Sequence, residues 1–155
     1  DRIRGEKAAN VEKAIEHLEA ALEVRTRAAY PEDWAMTQMN LAAAYRNRIR
    51  GEKAANVEAA IERYEAALEV RTRAAYPEEW AQTQNNLGNA YRDRIRGEKA
   101  ANVEKAIEHL EAALEVRTRA AYPEKWAQTQ NNLAASAARR RPTSQRVQAA
   151  IERYE

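Results

Sequence analysis

The chain contains no cysteine, and among its 155 residues there are only four glycines, four prolines and two histidines. Without cysteine there is neither a disulfide framework nor a thiolate metal site. No apolar run approaches the twenty or so residues of a membrane-spanning helix, so that kind of span is excluded. No basic-then-apolar segment stands at the N-terminus, and the expectation from these absences is a cytoplasmic protein. Scarce glycine and proline beside abundant alanine, glutamate, leucine and arginine is the composition of an almost wholly helical chain. Charged residues make up 32% of the sequence with both signs interspersed, and the net charge is only +2. Attraction of the whole molecule to nucleic acid or to an anionic membrane is therefore weak.

What is present is repetition. "RAAYPEDWA" at 27–35 returns as "RAAYPEEWA" at 73–81 and as "RAAYPEKWA" at 119–127. Gly5, Gly51 and Gly97 recur every 46 residues, as do Pro31, Pro77 and Pro123, and Trp34, Trp80 and Trp126. The period fails after Leu133, where "AASAARRRPTSQRV" is two residues shorter than the matching stretch above it. The expected organisation is one array over 1–155, with repeats at about 5–50, 51–96 and 97–142 and a partial last helix at 143–155.

Each copy carries two helical patterns. Val11, Ile15, Leu18 and Leu22 step by four, three and four along one face, with Ala14, Ala21 and Ala28 as a small-residue stripe beside them. Asn10 is the expected N-cap of this helix, and Tyr30, which precedes a proline, its latest stop. Pro31 suits the first position of the next helix, and Glu32 and Asp33 place negative charge at the positive end of its dipole. The repeated nonapeptide thus reads as a helix stop joined directly to a helix start. The second helix buries Trp34, Gln38, Leu41, Tyr45 and Ile49; Arg46, Arg48 and Arg50 close it, and Gly51 turns the chain. Such pairs cannot bury their stripes alone, so neighbours must stack to share a core.

"NNLGNAY" at 85–91 followed by "EKAIEHLEAALEV" at 104–116 resembles the signature of tetratricopeptide repeats, with Leu87, Gly88 and Tyr91 in the first helix and Ala106, Leu110 and Ala113 in the second. The copies are about twelve residues longer than the usual 34, the tryptophan lies one turn upstream of its usual place, and the proline follows a longer extension. They are more similar to the extended repeats of kinesin light chains and of bacterial multidomain signalling proteins. The resemblance implies an all-α, right-handed solenoid of antiparallel helix pairs, about seven helices, acting as a protein-binding superhelix. The family's carboxylate clamp needs lysines on the first helix that are absent here, although Asn89 matches one clamp asparagine.

Catalysis has little to work with. There is no glycine-rich phosphate loop, no serine–histidine–acid set and no zinc-ligand spacing, so no enzyme activity and no cofactor are expected. His17 and His109 hold the same place in two copies and read as solvated surface residues. The copies differ mainly on the helix after the proline, at 33/79, 36/82, 39/85, 42/88, 43/89 and 47/93. In the resembled family one face of that helix lines the concave groove. Met36, Met39, Arg46, Gln82, Asn85, Asn89, Arg92, Gln128 and Asn131 are therefore the candidate lining of a groove for an extended or helical peptide, with asparagines to bond its backbone, arginines to take acidic side chains and methionines to supply apolar contact. The competing reading is that they are solvated, or that Met36 and Met39 pack on an upstream repeat. A ridge of Arg46, Arg48, Arg50 and Lys53, recurring as Arg92, Arg94, Arg96 and Lys99 and followed by Arg139, Arg140, Arg141 and Arg146, has the charge to follow a phosphate backbone, but no aromatic residues for base stacking are interleaved. Nucleic-acid binding ranks below a protein or peptide partner. The ends of near-identical copies are mutually complementary, so head-to-tail self-association is the runner-up. An engineered repeat protein is a further alternative, against which the uneven substitutions argue.

Overall fold

A computed structural model describes residues 1–140 and 151–153. The helices described in full are α1 Arg2–Val24, α2 Pro31–Asn47, α3 Lys53–Leu68, α4 Pro77–Asp93, α5 Lys99–Leu114 and α6 Pro123–Ala137. Residues 151–153 are also helical, and no strand occurs among the described residues. The rest of the expected helix at 143–155, with Arg141 and Arg146, lies outside them. Each helix packs on the next in order, most extensively α2 on α3 and α4 on α5, and α4 also touches α6. This is an all-α, solenoid-like arrangement. Its core runs through Met39 and Ala42 of α2, Val57, Ala60, Ile61 and Tyr64 of α3, Leu87, Ala90 and Tyr91 of α4 and Ala106 of α5.

The prolines open α2, α4 and α6 as expected, with Glu32 and Asp33, Glu78 and Glu79, and Glu124 in the first turns. The junction before them is longer than a direct stop and start. Helices α1, α3 and α5 end at Val24, Leu68 and Leu114, and a separate turn follows. The Thr72 hydroxyl accepts from the Ala75 amide at 3.3 Å, and the Tyr76 amide donates to the Thr72 carbonyl at 2.8 Å. The arginine of the nonapeptide has a further role. Arg73 lies 5.6 Å from the centre of the Trp80 ring and pairs with Glu115 of the next repeat at 2.6 Å; Arg27, over Trp34, pairs likewise with Glu69 at 2.8 Å. The nine-residue spelling recurs because it builds a turn, a helix start and a link to the following copy.

The proposed asparagine N-cap is corrected. Asn10 lies inside α1, and its counterparts Asn56 and Asn102 lie one turn inside α3 and α5. Their buried side chains brace the preceding turn instead: Nδ2 of Asn102 donates to the Arg96 carbonyl at 2.9 Å, and Oδ1 accepts from Arg94 at 3.2 Å. Arg94 also grips Glu58 with two bonds of 2.6 and 3.1 Å, tying the turn to the helix before it. Arg48 does the same with Glu12. Arg2, at the matching place in the first copy, pairs instead with Glu6 one turn away. There α1 runs back as helix through Gly5 to an Asp1 cap.

One residue type therefore has opposite roles along the array. Gly51 and Gly97 hold φ of 82°, a left-handed conformation that disfavours a side chain, whereas Gly5 is helical with nothing within 4 Å of where a Cβ would sit. Gly97→Ala is expected to lower stability by about 1 to 2 kcal/mol. Gly5→Ala is expected to raise it by up to about 1 kcal/mol. Urea midpoints of the two variants check both signs.

Candidate ligand groove

Helices α2, α4 and α6 follow one another in register, held by contacts between side chains 44 or 47 positions apart. Arg46 pairs with Asp93 at 3.0 Å, and Lys125 with Glu78. Between α4 and α6 polar side chains converge on Asn85. Arg117 donates to Oγ1 of Thr129 at 3.2 Å, that hydroxyl donates to Oδ1 of Asn85 at 3.1 Å, and Asn132 donates to the same oxygen at 3.1 Å. Between α2 and α4 the corresponding position holds Met39 in place of asparagine. There the Thr83 hydroxyl lies 3.1 Å from the methionine sulfur, a weak acceptor, and 2.8 Å from the Glu79 carbonyl.

Beside that contact lies a cavity of about 420 Å³. Met36, Met39, Asn40 and Ala43 of α2 form one wall, Glu79, Gln82 and Asn86 of α4 the other, and Arg71, from the turn after α3, also lines it. Met36 remains 52% exposed at its mouth although methionine is a residue that usually finds a core.

Of the residues singled out from the sequence, Met36, Met39 and Gln82 come together on this cavity. The others are placed differently. Asn85 and Asn89, expected to line the groove, are buried. Asn85 is engaged in the chain to Thr129 and Asn132, and Oδ1 of Asn89 finds no partner among the described residues. Arg46 is held by Asp93, and Arg92 is half-buried 3.7 Å from the same carboxylate. Gln128 and Asn131 are exposed on α6. Asn40 and Asn86 were missed, yet a helical step of four from Met36 and Gln82 points to both. Arg71 carried no such signal, since its counterpart Arg25 is exposed in the same sequence context.

The turn-edge arginines are largely engaged within the protein. Besides Arg48 and Arg94, Arg140 holds Glu104 with bonds of 2.7 and 2.8 Å, and Arg139 donates to the Arg92 carbonyl. The bonds from Arg48 to Glu12 and from Arg94 to Glu58 hold those two carboxyl groups below their ordinary range.

His109 corrects a further reading. It is not a solvated surface residue: its ring stacks on Tyr91 with centres 5.4 Å apart, and Nδ1 lies 2.6 Å from Oε1 of Gln84. Tyr91, itself buried and bonded to Glu65 at 2.8 Å, has its hydroxyl pKa pushed up to about 12, chiefly by that burial. Burial likewise pulls the His109 imidazole below the ordinary histidine value, against Glu108 and Glu65, which act in the opposite sense. With the folded value depressed, the unfolded chain takes up the proton first as pH falls. The neutral ring's contribution is intact above about pH 6.5 and is lost as the pH falls from there through the folded value. His109→Gln is expected to flatten the decline of the urea midpoint in that window, and an unchanged slope would show that other groups set it.

No helix among the described residues is long and apolar enough to cross a membrane. Compared with protein-family models, with curated proteins and with solved structures, the chain matches none.

Proposed function

We propose that the chain is a non-catalytic, cytoplasmic protein-binding scaffold of tetratricopeptide-like type, which holds a segment of another protein, or of its own parent chain, in the groove between α2 and α4. The observation that carries this reading is the cavity itself. About 420 Å³ falls within the usual range for binding pockets, and its lining mixes apolar methionine with amide and charged groups. Both methionines of the chain border it. Methionine is flexible and polarisable, and suits a surface that must adapt to a peptide. The groove can hold a side chain but presents no nucleophile and base in bonding geometry, which is why the reading is binding and not catalysis.

Selection from a displayed random-peptide library tests it. Met36 and Gln82 are exposed, so Met36→Arg with Gln82→Arg should fill the groove at little cost to folding. The intact protein is expected to enrich related peptides that the double variant binds at least about tenfold more weakly, a loss of about 1.4 kcal/mol. Enriched peptides that bind both proteins alike would place the binding surface elsewhere.

One observation favours self-association as a second reading. Residues 1–30 and 93–122 are identical in sequence. In α5 the face bearing Val103, Ala106, Leu110 and Ala113 is sealed, chiefly under α4. The matching face of α1 has Ala14 exposed and Val11, Leu18 and Ala21 only half-buried. A second copy offering an α4-like helix would cover it. A sedimentation coefficient rising with concentration supports this reading, and a constant one removes it.

A further inference from the structure

We propose that the α2–α4 groove is built to receive one carboxylate side chain of a bound protein segment, with Arg71 as its anchor and Met36 and Met39 as the apolar seat for the residue beside it; this rests on the groove being the ligand surface. Arg71 is only 7% exposed, borders the cavity, and its Nε has no hydrogen-bond partner among the described residues. A buried guanidinium without a counter-ion is costly and calls for a partner. Arg48, Arg94 and Arg46 are matched with Glu12, Glu58 and Asp93. Arg117, the counterpart of Arg71 one repeat later, has an unpartnered Nε too but donates to Thr129.

The difference between the two arginines lies in one substitution. Where Asn85 completes the polar chain of Arg117, Thr129 and Asn132, the earlier interval has Met39, and the Thr83 hydroxyl lies between its sulfur and the Glu79 carbonyl. No described residue takes up the Arg71 guanidinium, and the open space beside it has a methionine wall. The terminal nitrogens of a guanidinium pair with a carboxylate by charge-assisted bonds, and the methionines favour an apolar neighbour in the ligand. Glu79 on the opposite wall repels a second negative charge, which limits the site to one.

The test uses the whole chain with N-acetyl-glutamate N-methylamide as probe and its glutamine counterpart as control, each titrated to its solubility limit while the arginine Nε–H and methionine methyl resonances are followed. The glutamate probe is expected to move the Arg71 Nε–H and Met36 methyl signals to saturation, with the glutamine probe at least about tenfold weaker. Arg71→Gln is expected to abolish the response. Met39→Asn, which installs the residue the next repeat uses at that place, is expected to weaken it, and Glu79→Gln to strengthen it. If Arg71→Gln does not fold, Met39→Asn and the two probes on the intact chain decide the matter. Equal response to both probes, an equal response to inorganic phosphate, or an unmoved Arg71 signal overturns the proposal. Selected peptides that bind the groove without any acidic residue, and equally well in Arg71→Gln, would overturn the anchor while leaving the groove reading intact.

Discussion

Tyr64→Ala is expected to cost about 3 to 5 kcal/mol. Tyr64 is 2% exposed and is the largest of the fully buried side chains. It lies at the centre of the array, in α3, in a core that joins Met39 and Ala42 of α2 to Leu87, Ala90 and Tyr91 of α4. Its removal leaves a ring-sized void between two helix pairs whose backbones are fixed by the turn braces on either side, so little collapse can refill it. For a chain of this length each kcal/mol lowers Tm by about 2 to 4 °C, giving a fall of about 6 to 20 °C. Because stacked repeats are coupled chiefly to their neighbours, weakening the middle should also broaden the transition as the two ends begin to melt separately. Tyr64→Phe is the control. Its hydroxyl lies near Arg46, but the packing is kept, and a cost of about 0.5 to 1.5 kcal/mol is expected. Thermal melts of both variants followed by circular dichroism give the comparison; similar losses would mean that the hydroxyl, and not the packed ring, holds the centre together.

Gly88→Ala is expected to destabilise by about 1 to 3 kcal/mol, although alanine is the better helix former. A Cβ at this place would stand 2.8 Å from Cγ of Leu110 and 3.0 Å from the carbonyl of Ala106, closer than packed atoms allow. The previous repeat shows how such a methyl is accommodated. It has Ala42 where this one has Gly88, and Tyr64 where this one has Leu110, with both residues buried. A flat ring leaves room that the branched Cγ of leucine takes. Combining Gly88→Ala with Leu110→Tyr is therefore expected to cost less than the sum of the two single changes by at least about 0.5 kcal/mol. Strict additivity in urea unfolding would show that the two positions are not coupled.

The architecture was legible because its signals are local and repeated. The 46-residue period, proline at the first helical position and the apolar spacing within each helix report local requirements, whereas glycine marks a turn at Gly51 and Gly97 but not at Gly5, which is helical. The groove was legible only in part. Asn85 and Asn89 looked like surface residues because they are polar, yet Asn85 is buried and bonded to residues of a helix 44 and 47 positions away. The histidines make the reason plain. Residues 1–30 and 93–122 are spelled identically, but His17 is exposed while His109 stacks on Tyr91. What differs is whether another helix precedes it in the stack, and no local pattern contains that. Arg71 is the same case: its burial is conferred by α2 and α4 and not by its own segment.

On the proposed function a ligand lies in the space between α2 and α4. Met36 and Met39 are the chain's two methionines and both border that space, so a methyl-labelled methionine spectrum has two signals, each a groove reporter. A peptide selected against the intact protein should shift both signals on binding, Met36 more than Met39 because Met36 is exposed at the mouth. A peptide shown by calorimetry to bind while neither methyl signal moves would contradict the account and place the ligand on another face.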